Sequence, residues 1–424
     1  MRILHTADWH LGKTLEGRDR LPEQVQFIEE ICEICKQEKV DLVLIAGDVF
    51  QSSNPSAAAE ELFYDAIDRL SNHGTRGVVV IAGNHDNPER LCAPSPLAER
   101  LGITLIGLPK DEIRISSRGN GKRVQRIACG QSWLELVIPG CEDSAIIAAL
   151  PYPSEGRLKQ LITQNLLEVD MQKGYNQCIA DTMARLSANY RRDTVNLAMS
   201  HIFVKGGIES GADSENKIQQ VGGAYAVDPL VFPSGAQYVA LGHLHRPQKI
   251  DGCIAPGRYA GSPLAYSFSE VGYRKSVTLV EALPGQEAQV REIYLSSGRP
   301  LVKWSAKEGI AQVCHWVESG LDRDAWIDVE VHITKPLTMD EIQKLRSLYT
   351  RFIHIRPVIS QNGKESVLTI EEIRNLPIDK MFIRFFERYN SGLKPDDALV
   401  KLFLDLTQSA DKEESVKDLE GEIA

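Results

Sequence analysis

Residues 78–90 read VVVIAGNHDNPER. Val78 to Ile81 are apolar and β-branched without alternation, the pattern of a strand covered on both faces, and Ala82-Gly83 let the chain turn. Asn84, His85 and Asp86 follow with no spacing between them. An amide, an imidazole and a carboxylate at the end of a buried strand cost free energy unless each has a partner. Consecutive residues leaving a strand point in different directions, so this turn can aim Asn84 at one partner and His85 at another, with Asp86 behind the ring.

The layout recurs along the chain. RILHTA (2–7), DLVLIAG (41–47), GVVVIAG (77–83) and NLAMS (196–200) are short apolar runs, each followed by polar loop residues. The first three alternate with helical patterns over 22–39, opened by Pro22 and Glu23, and 56–73, opened by Asn54-Pro55-Ser56. Such alternation predicts β-α units and an α/β fold, with the working residues past the C-terminal ends of the strands, along one edge of one sheet. QYVALG (237–242), RKSVTLVEA (274–282) and AQVREIYL (288–295) read as further strands.

After about residue 300 the texture changes. WIDVEVHIT (326–334) alternates like a half-buried strand, TMDEIQKLRSLY (338–349) reads as a short helix and RFIHIRPVIS (351–360) as another strand, so a small α/β domain follows the first. Pro395 and Asp396 open a helix with Leu399, Leu402, Phe403 and Leu406 on one face, and SADKEESVKDLEGEIA (409–424) reads as a disordered tail.

A chain of 424 residues predicts two or three domains, and 25% charged with 43% hydrophobic residues is the balance of a globular protein. The net charge of -10 argues against a broad basic face for nucleic acid, although bound cations would add local positive charge outside that count. The N-terminal MRILHTADWHLG meets Asp8 too early for a secretory signal, and no apolar run approaches the roughly 18 residues of a membrane span. A cytoplasmic protein is expected. The eight cysteines have no framework spacing, and Cys32 and Cys35 share the apolar stripe of Phe27, Ile28 and Ile31. That pair reads as core.

The strand ends carry Asp8 and His10, Asp48, the Asn84-His85-Asp86 turn, His201, and His243 with His245. Five of the ten histidines fall in these five loops. Singly, each piece is ordinary turn chemistry. Together they predict a metal site. Carboxylate, imidazole and amide ligands without thiolate suit Mn²⁺, with Fe²⁺ or Zn²⁺ as competitors, and are too rich in nitrogen for a dedicated Mg²⁺ or Ca²⁺ site, Mg²⁺ entering only as a substitute ion. Asp8, His10, Asp48, Asn84, His201, His243 and His245 are too many for one ion and suit two, bridged by Asp48. Four positive charges against two carboxylates would attract a phosphate. His85 then faces the substrate as an acid, with Asp86 fixing its tautomer.

In their order, Asp-x-His, Gly-Asp, Gly-Asn-His-Asp, a lone His and Gly-His-x-His resemble the calcineurin-like binuclear metallophosphoesterases. HTADWHLGKTLEGRDR (5–20), LIAGDVFQSSNPS (44–56), VIAGNHDNPERL (80–91), YVALGHLHRPQKI (238–250) and RYAGSPLAYSFSEVGYRKSV (258–277) narrow the resemblance to the DNA nucleases among them. It covers roughly residues 1 to 280. The resemblance implies a β-sandwich flanked by helices (1–300), a small α/β capping domain (301–378) and C-terminal helices with a partner-binding role (379–424). It implies one Mn²⁺ held by Asp8, His10, Asp48 and His245, a second held by Asp48, Asn84, His201 and His243, and His85 as a catalytic residue. It further implies manganese-dependent exonuclease and endonuclease activity on DNA, an SbcC-like ABC ATPase with a long coiled coil as partner, and a homodimer within a heterotetramer.

The chain has no G-x-x-x-x-G-K-[ST], so ATP dependence has to come from a partner. The apolar stripe from Leu399 to Leu406 is a candidate for docking there, or for packing on its own domain. Many relatives carry Asp after Gly-Asp-Val-Phe where this chain has Gln51. Two other readings compete. A phosphatase or small phosphodiesterase on the same site lacks support from Gly47-Asp48, which Val49-Phe50-Gln51 follow in place of a Gly-Asp-x-x-Asp-Arg-Gly pattern. A metal-free scaffold would have lost ligands, and every ligand type is present.

Overall fold

The computed structural model describes residues 1–116, 121–154, 168–210, 226–359, 377–389, 395–397, 399–404 and 406. The chain divides into two compact units, Met1–Leu301 and Val302–Ala424.

The first unit is built on strands β1 (Arg2–Thr6), β2 (Leu42–Ala46), β3 (Gly77–Ile81), β4 (Ile103–Ile106), β5 (Gln125–Gly130), β6 (Trp133–Val137), β7 (Ala145–Leu150), β8 (Val195–His201), β9 (Tyr238–Gly242), β10 (Gln248–Ile250), β11 (Gly257–Tyr259), β12 (Ser276–Glu281) and β13 (Gln289–Tyr294). They form two sheets, ordered β13-β12-β1-β2-β3-β4 and β10-β11-β9-β8-β7-β6-β5. β1 to β4 run parallel, as do β7, β8 and β9. The residue pattern alone reads as one sheet; the structure has two, the sandwich that the resemblance implies.

Three apolar layers hold the sheets and helices together. Between the sheets lie Leu42, Leu44, Val79 and Ile81 from one side and Ile147, Leu197, Met199 and Tyr238 from the other. The alternate residues Val43, Ile45, Val78 and Val80 pack outward onto Phe27, Ile31, Phe63 and Leu70 of the helices Leu21–Gln37 and Ala57–Ser71. Ala148, Ala198 and Leu241 pack outward onto Tyr175, Ile179 and Met183 of the helix Glu168–Leu186. A strand with apolar residues on both faces belongs between two such layers, which is why these runs do not alternate. Cys32 and Cys35 are buried in the helix layer. Ser56 caps its helix by accepting from the Ala59 N–H at 3.3 Å.

The second unit carries a three-stranded sheet of β14 (Leu301–Ala306), β15 (Trp326–Ile333) and β16 (Phe352–Ile359) in that order, with β15 and β16 parallel. Its core joins Ile327, Val329 and Val331 to Trp304, Val313 and Leu345, the last two from the helices Ile310–Glu318 and Met339–Leu348. Thr338 and Glu341 close a reciprocal cap on the second of these helices. The helix Ile378–Tyr389 follows, and the described residues between 397 and 406 are helical. Phe403 stacks on Phe382 of Ile378–Tyr389 at 4.1 Å with the planes 9° apart, while Leu402 and Leu406 are 55% and 62% exposed. The tail 409–424 lies outside the described residues.

Candidate metal centre

The loops leaving β1 and β2 run side by side. The Asp8 N–H donates to the Gly47 carbonyl at 3.0 Å and the His10 N–H to the Asp48 carbonyl at 3.0 Å. Asp8, His10, Asp48 and His243 all have positive φ, at 54°, 46°, 49° and 106°. Left-handed backbone at residues with a Cβ costs on the order of 1–3 kcal/mol each and persists where its surroundings enforce it. Here it turns side chains from separate strands toward one place.

Two glycines let the backbone come close enough. A Cβ on Gly83 would stand 2.1 Å from Asp48 Oδ1. A Cβ on Gly242 would stand 1.9 Å from the Ala46 carbonyl oxygen and 2.8 Å from His201 Nδ1. The two sheets meet at that second contact, where the His201 Nδ1–H donates to the Ala46 carbonyl at 2.8 Å. That bond turns Nε2 of His201 toward the site.

The seven candidate ligands converge. Asn84 Oδ1 lies 3.0 Å from His201 Nε2 and 3.0 Å from His243 Nδ1. His10 Nε2 faces His245 Nε2 at 3.0 Å. Asp48 Oδ2 stands between the two groups, 3.4 Å from His201 Nε2 and 3.7 Å from His10 Nε2. Asp8 receives the His243 N–H on Oδ1 at 2.9 Å, and its Oδ2 is buried with no hydrogen-bond partner. An orphaned carboxylate oxygen and two imidazole nitrogens facing each other are groups that a cation would satisfy. Ligand atoms of Asp8, His10 and His245, and of Asp8, Asp48 and His201, each lie within 4.8 Å of one another. The residues present fit a pair of divalent metal ions.

Burial and charge divide the titrating groups. Burial pushes Asp8 up to about 6 despite the neighbouring imidazoles. Burial also works against the charge on Asp48, yet His201 and His85 hold its pKa well below the usual carboxylate range. His201 is raised to about 9, because Asp48 and then Asp8 outweigh the burial that opposes its charge. Burial, followed by the charge of His201, lowers His243 to about 3, and burial takes His10 well below its ordinary value. Several nitrogens are thereby kept neutral, the form that binds metal.

The sequence model of the calcineurin-like phosphoesterase family matches residues 1–247. A second, described as the type 5 capsule protein repressor C-terminal domain, matches residues 297–390. The D subunit of the SbcCD nuclease of Bacillus subtilis (strain 168) is 45% identical over 415 residues, which cover 98% of this chain and 100% of that protein. The chain belongs to the calcineurin-like phosphoesterase family, on its SbcD branch. The SbcD protein of Rhodobacter capsulatus is 37% identical over 72% of either chain, and that of Escherichia coli K12 is 27% identical over 91% of this chain and 92% of its own.

In this SbcD-branch phosphoesterase His85, like His243 only partly buried, lies more open than the remaining imidazoles of the site. Its side chain is 21% exposed, against 1%, 0% and 6% for His10, His201 and His245. Its backbone N–H donates to Asp48 Oδ1 at 2.9 Å, and ring Nδ1 lies 2.9 Å from the Gln51 carbonyl. The expectation that Asp86 fixes the His85 tautomer is corrected here. Asp86 accepts instead from the N–H groups of Gly83, Val49 and Phe50 at 2.8, 3.2 and 2.9 Å, and so ties the β2 exit to the β3 exit. Burial and the Asp48 charge raise Asp86 to about 6 against those three bonds. The Gln51 contact runs through the backbone, which explains why a side-chain departure at 51 leaves it intact.

Sequence reasoning misses three participants. Tyr152 stacks on His243 with centroids 6.2 Å apart and meets His201 edge-on. Glu270 and Lys275 lie behind His245, where the Glu270 Oε1 is 3.6 Å from His245 Nδ1 and the Lys275 ammonium donates to Glu270 Oε2. Burial acts to raise Glu270, and the charges of Lys275 and His245 hold it at about 2. The only signal for these two is their place in RYAGSPLAYSFSEVGYRKSV, where nothing in the residue pattern gives either a role.

Proposed function

We propose that this chain is a manganese-dependent DNA nuclease, exonucleolytic at ends and endonucleolytic on single strands and hairpins, that hydrolyses phosphodiesters with two metal ions. Asp8, His10, Asp48 and His245 hold one ion, and Asp48, Asn84, His201 and His243 hold the other. What supports this reading is the convergence of three oxygen and four nitrogen donors from five loops on two sheets, around one central carboxylate. Divalent cations in such a site supply the positive charge that binds a phosphodiester and the acidity that activates water.

The chain's own residues do the rest. Asp48 keeps the two donor groups in register, because its Oδ2 reaches toward both. His85, in its doubly protonated form, gives Nδ1–H to the Gln51 carbonyl and turns Nε2–H to the leaving oxygen. Asp86 is a positioning residue for the loop that carries Asp48. Residues 1–300 form the nuclease domain, 301–378 a capping domain, and 379–424 a helical segment for a coiled-coil SbcC-like ATPase. The assembly is a homodimer within a heterotetramer that acts in DNA repair and recombination in the cytoplasm; among the described residues no helix is long and apolar enough to cross a membrane.

The test is digestion of labelled single- and double-stranded DNA with manganese, beside a generic phosphodiester ester, with and without the ATPase and ATP. DNA cleavage that depends on manganese is the expected result. Turnover of the small ester with DNA left intact would favour a small-substrate phosphodiesterase instead.

A further inference from the structure

Two of the candidate metal-binding histidines, His201 and His245, are backed differently. His201 gives its rear N–H to a neutral backbone carbonyl, that of Ala46. His245 has a carboxylate behind it: Glu270, 1% exposed, with Oε1 3.6 Å from Nδ1, a contact one ring tilt outside hydrogen bonding. Glu270 is held from two sides, and the residue holding one of them is itself anchored. Its Oε1 takes the Tyr266 N–H at 3.1 Å, its Oε2 takes the Lys275 ammonium, and Lys275 also donates to the His245 carbonyl at 3.0 Å and to Ser262 Oγ at 2.8 Å.

Burying an ion pair is a poor route to stability, because desolvation offsets the attraction. A pair kept behind a metal-binding imidazole has a better attested use: a carboxylate that receives the second ring N–H fixes the tautomer and makes the first nitrogen a stronger donor. We propose that Glu270, braced by Lys275, is the positioning residue of His245, directing its Nε2 lone pair toward the Asp8–His10 side and strengthening metal binding there alone. This rests on the two-metal reading above. When that side is loaded, the ring tilts and Nδ1–H closes onto Oε1.

The experiment is a manganese titration of the full chain at fixed pH, followed by the electron paramagnetic resonance of free Mn²⁺. The wild type binds two ions. Glu270→Gln should weaken one of them by about 10- to 100-fold and leave the other unchanged. In a His245→Asn background the same substitution should add nothing, because the residue it acts through is gone. Glu270→Asp keeps the charge beside Lys275 and serves as the second variant should the Gln protein not fold; its acceptor is withdrawn by a methylene, so the same single-site loss is expected. Unchanged affinity at both sites in a folded Gln or Asp variant, even with a lowered melting temperature, overturns the proposal. A wild type that binds no manganese overturns the underlying two-metal reading instead.

Discussion

At the scale of single residues, the account turns on His85 and Asp48. His85 is the most exposed of the imidazoles around Asp48 Oδ2, 4.0 Å from it, and its other nitrogen is occupied by the Gln51 carbonyl. His85→Ala should lower the cleavage rate by about 10²- to 10⁴-fold, the share of a general acid, while calorimetry still finds both manganese ions. Loss of an ion would make His85 a ligand. Gly83→Ala removes no ligand, yet its Cβ would sit 2.1 Å from Asp48 Oδ1. It should therefore weaken manganese binding in a protein that still folds, and full affinity in that variant would contradict the close-packing argument.

His201 also sets a pH dependence. Its pKa is raised to about 9, so near neutrality the ring carries a proton that a cation at Nε2 has to displace. Manganese affinity should fall as pH drops below 9, approaching about tenfold per unit for one displaced proton. Titrations between about pH 7 and 9 that gave a flat affinity would rule out that competition. The seven candidate ligands are legible in the sequence because they stand at the ends of recognisable strands. The Gln51 carbonyl is not, since a backbone acceptor leaves no trace in residue type, and Asp86 is easily misread because its partners are backbone N–H groups from its own turn and the neighbouring loop.

At the scale of elements, local signals read well. Pro22-Glu23 and Asn54-Pro55-Ser56 both lie where the structure has helix N-termini, with Ser56 as the cap of the second. The C-terminal stripe is divided: Phe403 is stacked on Phe382, whereas Leu402 and Leu406 are exposed. Substituting Phe403 would disturb its own helix pair. The cleaner variant is Leu402→Glu with Leu406→Glu, which should abolish capture of the coiled-coil ATPase and leave manganese-dependent cleavage of single strands unchanged. Undiminished capture would assign the stripe to packing within its own unit. β7, reading AIIAAL, escapes a sequence reading, although all six residues are buried, because its small alanines dilute the β-branched signal.

At the scale of the molecule, the hydrophobic pattern by itself cannot tell two sheets from one, and the sandwich is legible only through the family resemblance of the motifs. β2 and β8 are alike in being buried along their whole length, and only long-range pairing assigns them to different sheets. The difference matters to the chemistry. Asp8, His10, Asp48 and Asn84 leave one sheet and His201, His243 and His245 leave the other, so metal ions held by these residues would tie the two sheets together. Glu270 and Lys275 go unnoticed for the same reason, as they come within reach of His245 only after the β12 segment pairs back onto β1. Anomalous diffraction from manganese-loaded crystals tests the central claim most directly. Two peaks about 3.5 to 4 Å apart, one beside Asp8, His10 and His245, one beside Asn84, His201 and His243, with Asp48 between them, are the predicted result. A single peak, or peaks away from these seven residues, would contradict it.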